Sequence, residues 1–178
     1  PPVRFVRGAG TELFDADGRR YLDFLGGLAV TSLGHSHPRI AAAIADQAGT
    51  LMHVSNLFGT EPQIEVATRL DSLIRSGTGE TEPGQVLFQN SGAEANEAAI
   101  KLVRRHHGRG RHVVLSAFRS FHGRTLATLA ATGQPEKHEP FQPLPEGFRH
   151  AAWNDLDAFE AAVDPTVGAI LLEPLQGE

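Results

Sequence analysis

Cysteine is absent from this 178-residue chain, which excludes a disulfide scaffold, thiolate catalysis and cysteine-ligated zinc. The absence fits a reducing compartment. Long apolar runs are missing as well. The longest pieces, such as residues 28–30 and 169–172, fall far short of the ~20 residues that span a bilayer. No basic-then-apolar leader opens the chain, so neither a membrane partner nor a secretory signal is expected, and the cytoplasm is the expected compartment. Pro1-Pro2 stands where an initiator Met would, which points to a trimmed N-terminus.

Acidic residues are missing from one long stretch. Between Ala98 and Gln134 there is no Asp or Glu, while Lys101, Arg104, Arg105, Arg109, Arg111, Arg119 and Arg124 carry +7 in a chain of net charge -5. A positive block in an otherwise acidic protein suits an anionic ligand or an acidic surface. The run 104–112 lacks the interleaved aromatics of a nucleic-acid binder, and a solvated helix end accounts for it. The 19 glycines, 11 prolines and 21% charged residues are those of a globular chain, not a disordered or collagenous one.

Thr11 to Phe14, the turn Asp15-Ala-Asp-Gly18 and Arg19 to Phe24 read as a β-hairpin, because Asp-Gly supplies the positive φ of a tight turn. Pro38 opens a helix with Ile40, Ile44, Ala48 and Leu51 as its apolar stripe. A second helix follows Thr60, with Gln63 completing a capping box and Ile64, Ala67, Leu70 and Ile74 facing inward. Residues 75–84 form a linker and a boundary between residues 1–75 and 84–178. Strand and helix then alternate: a strand at 85–89, a helix at 92–106 with Ala95, Ala98, Ala99 and Leu102 on its inner face, and a strand at 113–117. A helix at 123–131, a Pro-rich loop at 133–146, a strand at 148–153, a helix capped by Asn154 and a very apolar strand at 167–172 complete the pattern. Apolar strands separated by helices give an α/β chain with a mostly parallel sheet covered on both faces and right-handed crossovers.

In an open α/β sheet, ligands bind beyond the carboxyl ends of the strands. Three polar segments leave strands there: Asn90-Ser91-Gly92-Ala93-Glu94, Ser120-Phe121-His122-Gly123-Arg124 and Glu173-Pro-Leu-Gln-Gly-Glu178. The first is a strand, small residues, then a helix, which makes an anion site from free amides and the helix dipole; Ser91 acting only as a helix cap is the alternative. It is no Walker loop and holds no Gly-x-Gly-x-x-Gly. In the second, an aromatic face suits stacking on a planar heterocycle and Arg suits a carboxylate; a buried Phe beside a solvated Arg is the alternative. Glu173, next to a buried strand, needs a partner; a salt bridge within the fold would supply one. Neither His35/His37 nor His106/His107 has the i, i+4 spacing of a zinc helix, so no metal is expected.

Six motifs then stand in one order: Asp15-Ala-Asp-Gly-Arg-Arg-Tyr-Leu-Asp23, Gly34-His-Ser-His-Pro38, Ser55-Asn-Leu-Phe-Gly-Thr-Glu-Pro62, Asn90-Ser-Gly-Ala-Glu-Ala-Asn-Glu-Ala-Ala-Ile-Lys101, the run from Phe121 to Pro135, and Glu173-Pro-Leu-Gln-Gly-Glu178. Together they resemble the class III, pyridoxal-phosphate-dependent aminotransferases, most closely the acetylornithine aminotransferase branch, over essentially the whole chain. The resemblance implies a fold-type I transferase with a three-layer αβα large domain, here incomplete, preceded by an N-terminal hairpin and helix segment. It implies pyridoxal 5'-phosphate as cofactor, with Ser91, Gly92 and Ala93 at its phosphate, Phe121 stacked on its ring and His122 beside it. Arg124 would take the substrate α-carboxylate, and Glu178 would help distinguish the two half-reaction substrates. The reaction implied moves the terminal amino group of N2-acetyl-L-ornithine to 2-oxoglutarate, in arginine biosynthesis, in a cytoplasmic homodimer. Ornithine, succinylornithine or 4-aminobutyrate aminotransferase is the alternative within the family, followed by a 1,2-aminomutase; a non-catalytic anion-binding module is the alternative outside it.

Two elements of the family pattern are not matched, the Asp that pairs with the pyridine nitrogen and the Schiff-base lysine. Such an enzyme needs a Schiff-base lysine, and the only lysines are Lys101 and Lys137. Lys101 follows Glu97 by four residues, the spacing of a helical ion pair, and Lys137 sits in the Pro-rich loop. Neither lies in the family's lysine motif, so no catalytic residue is assigned here. The expectation is the N-terminal part of a longer enzyme, inactive by itself and exposing apolar surface and sheet edges.

Overall fold

The computed structural model describes residues 2–177. They form two compact units that divide between Gly84 and Gln85.

The first unit carries an antiparallel meander of β1 (Phe5–Ala9), β2 (Glu12–Asp15) and β3 (Arg20–Leu22). The Asp15-to-Gly18 turn joins the last two. Asp15 closes it, its carboxylate accepting from the Asp17 and Arg19 amides at 3.0 and 2.8 Å and from the Tyr21 hydroxyl at 2.9 Å. The first strand is an addition to the expected hairpin. A short irregular turn, α1 (Gly26–Ala29), follows Asp23, whose carboxylate accepts from the Leu25 and Gly26 amides and pairs with His35 at 2.6 Å. The Gly26 amide and then the His35 ring hold the Asp23 carboxyl below its ordinary range.

Two helices complete this unit: α2 (Pro38–Thr50) and α3 (Glu61–Thr78). Their apolar stripes face solvent rather than a core. Ile40, Ile44, Leu51, Ile64, Leu70 and Ile74 are all exposed, Ile44 by 65%, because no described residue lies over them. The capping box at Thr60 does not form, since its side chain makes no cap bond. The helix also runs to Thr78, into the stretch expected to be linker, and ends on Gly79 in a left-handed conformation.

In the second unit, β4 (Val113–Ala117) is the centre of a parallel sheet in the order β5-β4-β6, with β5 (Phe148–Ala151) and β6 (Val167–Leu171) beside it. Every residue of β4 is buried. Its alternate side chains point to opposite faces. Val113 and Leu115 pack with Ala151 and Val167 against Ala158, Phe159 and Ala162 of α7 (Leu156–Ala162). On the other face, Ser116 Oγ donates to the Ala131 carbonyl of α5 (Leu126–Ala131) at 2.6 Å. Alongside α5 lies α4 (Gly92–His107). The unit is thus an α/β layer structure with helices on both faces of an incomplete parallel sheet. α6 (Pro135–His138) and a 3-10 turn at Glu139–Phe141 occupy the expected Pro-rich loop.

Three local expectations are corrected here. Residues 85–89 are irregular, since a strand needs a ladder partner and no described strand pairs with them. Asp155, not Asn154, caps α7 by accepting from the Ala158 amide; Asn154 takes a left-handed conformation, which Asn tolerates. The buried side of α4 centres on Ile100, with Leu102 67% exposed. Larger Ile and Val side chains gain more from burial than the alanines that marked the expected face.

Candidate active site

The candidate site forms at the carboxyl end of the parallel sheet, where the turn after β4 meets the start of α4. Ser91 is the N-cap of α4, its hydroxyl accepting from the Glu94 amide at 3.2 Å, while the Glu94 carboxylate accepts from the Asn90 amide at 2.8 Å. That reciprocal cap leaves the Gly92 and Ala93 amides as first-turn donors without an intrahelical partner. Nothing lies within 4 Å of where a Cβ on Gly92 would stand. The helix start is therefore an open, positively polarised amide cradle. Ser91 is a cap, and the cap is what presents the cradle.

The turn after β4 is held rigidly from below. Ser120 is buried, and its hydroxyl accepts from the Gly133 amide at 3.0 Å. Gln134 donates to the Ser120 carbonyl at 2.9 Å, and the Arg119 amide donates to the Gly133 carbonyl. Gly133 passes so close to β4 that any side chain there would collide with the Ala117 carbonyl oxygen. The next residues turn toward α4. Asn96 Nδ2 donates to the His122 carbonyl at 2.8 Å. Gly123, at φ +134, brings the backbone to the helix start; a Cβ there would sit 2.5 Å from Thr128 Oγ1 and 2.8 Å from Ala93 Cβ. The Thr125 hydroxyl donates to the Glu97 carboxylate and completes a capping box with Thr128 on α5.

Phe121 stands on this scaffold with its ring 41% exposed, flanked by the Arg124 guanidinium and the Lys137 ammonium, each 5.7 Å from the ring centroid. His122 is 95% buried behind it, its amide donating to Thr132 Oγ1 at 2.9 Å. From the segment after β6, Glu173 Oε1 accepts the Phe121 amide at 3.3 Å, and Glu173 Oε2 is buried with no partner among the described residues. Gln176 ties the same segment to the turn by donating to the Phe118 carbonyl at 3.0 Å.

Ser91, Gly92, Ala93, Phe121 and His122 are thus brought together at one end of the sheet, with Arg124 exposed at their edge. Glu178 lies outside the described residues. Sequence reasoning missed the supports: Asn96, Thr128, Thr132 and the two histidines His138 and His150. Only the Thr125, Thr128, Thr132 spacing of three and four residues, one helix face, carried a signal for them. Lys137, expected in a loop, stands beside Phe121. Among the described residues no group of three or more His, Asp or Glu could hold a metal, and no helix is long and apolar enough to cross a membrane.

An open amide cradle, an exposed aromatic face and a buried carboxylate oxygen awaiting a donor suit a planar, phosphate-bearing heterocycle. Comparison with known proteins agrees. Residues 1–178 match the family described as Aminotransferase class-III. The chain belongs to this family. The family depends on pyridoxal phosphate, so the fit of the site to that group is the fit of a class III aminotransferase to its cofactor.

The acetylornithine aminotransferase of Corynebacterium efficiens is 50% identical over 188 residues, covering 100% of this chain and 44% of that protein. The chain thus spans less than half the length of the curated relatives it matches. A thermostable (S)-enantioselective omega-transaminase from Thermomicrobium roseum superposes with TM-score 0.85 at 31% identity, over 99% of this chain and 44% of its own. The ornithine aminotransferase of Toxoplasma gondii, whose crystal structure shows partial occupancy of PLP at the active site, superposes with TM-score 0.81 at 31% identity, over 99% and 42%.

Proposed function

We propose that this chain is the cofactor-cradling part of an aminotransferase that moves the terminal amino group of N2-acetyl-L-ornithine to 2-oxoglutarate, a cytoplasmic homodimer of arginine biosynthesis. The observation that carries the reaction class is the meeting of the open α4 cradle with the Phe121 face. What favours acetylornithine among the donors is the 50% identity to an acetylornithine aminotransferase across the chain.

The cofactor, when bound, supplies an electron sink for amino-group transfer. The chain's own residues bind and orient. Gly92 and Ala93 donate backbone N–H to the phosphate, at the positive end of α4. Phe121 offers its ring as a stacking platform, fixed in plane by the Glu173 bond to its amide and by the Asn96 bond to the next carbonyl. Arg124, exposed at the edge, binds a substrate carboxylate in a bidentate geometry that Lys could not reproduce. Glu178 helps distinguish the two half-reaction substrates.

Neither lysine of the chain is assigned the covalent role. Lys101 is exposed on α4, and Lys137 flanks Phe121 from α6. That lysine is expected in the part of the relatives that this chain does not span, so the 178 residues alone do not transaminate.

The test is the visible absorption spectrum of the protein from the uninterrupted gene, loaded with pyridoxal phosphate. A band that bleaches with N-acetylornithine and returns with 2-oxoglutarate supports cofactor, reaction and both substrates. A band indifferent to N-acetylornithine moves the donor to ornithine, succinylornithine or 4-aminobutyrate. No band, with a lysine present, sinks the reading and favours a non-catalytic anion-binding module.

A further inference from the structure

Three imidazoles lie in a row beneath the Phe121 turn. His122 follows Phe121 directly and is 95% buried. His150, at the end of β5, is next, and its ring lies 5.8 Å from that of His138 on α6 and 5.6 Å from the Phe118 ring. Nε2 of His122 and Nε2 of His150 are both buried without a hydrogen-bond partner among the described residues. His138 Nε2 sits 2.6 Å from the Thr132 carbonyl oxygen. A carbonyl only accepts, so His138 must carry its proton on that nitrogen.

Thr132 joins the two ends of the row. Its carbonyl takes the His138 ring, and its hydroxyl takes the His122 amide at 2.9 Å. The next residue, Gly133, donates to Ser120. The turn that carries Phe121 therefore rests on a segment fastened to one imidazole and packed against two others.

We infer that His150 is a positioning residue for the cofactor: as an uncharged ring packed between Phe118 and His138 it holds the Phe121 turn in its binding geometry, and a proton entering there loosens it. This rests on the cofactor reading above.

The surroundings favour neutral rings. Burial, then the neighbouring His150, pushes the His122 imidazole below its ordinary range. Burial, then His138, does the same to His150, against the opposing pull of the Ala131 and Ala130 carbonyls. β4 and α5, which pack on the row, contribute no charged side chain. From α6, Lys137 flanks Phe121 and adds positive charge. Of the carboxylates nearby, Glu97 bonds the Thr125 hydroxyl, Glu173 bonds the Phe121 amide through Oε1 alone, and Glu136 and Glu139 flank His138 along the chain. A charged His150 would lose its hydration on burial and face a neighbouring imidazole, and both disfavour the proton.

The experiment titrates full-length apoenzyme with pyridoxal phosphate from pH 8 to 5.5 and reads the dissociation constant, not activity, for the wild type, His150→Phe and His138→Gln. The first replacement keeps a ring against Phe118; the second keeps a donor for the Thr132 carbonyl. Neither can take up the proton. Ionisation of the cofactor phosphate is common to all three proteins and cancels in the ratio.

The expected result is a ratio of wild-type to His150→Phe dissociation constant that rises as pH falls, by up to about tenfold per pH unit once His150 titrates. A purely structural role would shift affinity by the same factor at every pH, so a flat ratio for His150→Phe overturns the inference. His138→Gln keeps both the donor and His150, and its dissociation constant is expected to follow the wild-type pH dependence. If His150→Phe does not fold, His150→Gln is read in its place. A wild type that binds no pyridoxal phosphate at any pH sinks the cofactor reading itself, and this inference with it.

Discussion

The two halves of the molecule are built from similar elements and hold together differently. In residues 85–178 the sheet is sandwiched, and Ile100, Val113, Val114, Leu115, Leu129 and Val167 are all buried. In the described part of residues 1–84 a single residue is buried as a whole, the turn aspartate Asp15, while the apolar stripes of α2 and α3 face solvent. Helices form in both halves because their ends are marked locally, by Pro38, Pro62 and left-handed Gly79 in the first and by the Ser91 and Asp155 caps in the second. A core forms only where successive layers close over one another. Amphipathic patterning announces that a face will be covered; it does not say by what.

Substitutions can break this contrast, and the largest effect is expected at Gly133. Gly133→Ala places a methyl group against the β4 backbone and should cost more than about 4 kcal/mol, read as loss of a cooperative melt in the second unit. Leu115→Ala opens a cavity at a fully buried site and should cost about 3 kcal/mol by denaturant unfolding. In the full-length enzyme Arg124→Ala should raise KM for the carboxylate substrates with a loss of about 2 kcal/mol in kcat/KM, the scale of a charged hydrogen bond; unchanged kinetics would remove Arg124 from the site. Ile44→Ala should change the stability of this chain by less than about 0.5 kcal/mol. A loss of several times that would mean the α2 stripe is covered after all.

The smallest effect is an acid limb in the second unit. Hydrogen bonds from Thr166 and then Arg149 hold the Asp164 carboxyl at about 2. A depressed carboxyl contributes stability that is complete above the unfolded value near 4 and disappears as pH falls through about 2. Asp164→Asn should flatten that part of the stability profile, measured by thermal melts between pH 5 and 2.

Much of this architecture was legible because its signals are local. The Asp15-to-Gly18 turn, the Pro38 helix start, the apolar β4 and β6, the start of α4 at Ser91 and Gly92 and the placement of Phe121 beyond the end of β4 all follow from neighbours in sequence. What escaped was long-range. A strand at 85–89 required a partner strand; the inner face of α4 depended on which side chains met β6 and α5. Thr132, His138 and His150 look unremarkable in sequence, and their roles arise from one turn of backbone passing beneath another. Asn154 and Asp155 are equally good caps on paper, and backbone geometry chose between them.

The position of β4 at the middle of its sheet has a consequence for synthesis. The central strand leaves the ribosome first, and both flanking strands are made later. β5 follows roughly 30 residues behind, so at about 5–20 residues per second β4 waits for about 2–6 s with both edges open. During that interval its five apolar and small residues are a nascent-chain segment with nothing to pair with, the kind of extended stretch that a ribosome-associated chaperone holds.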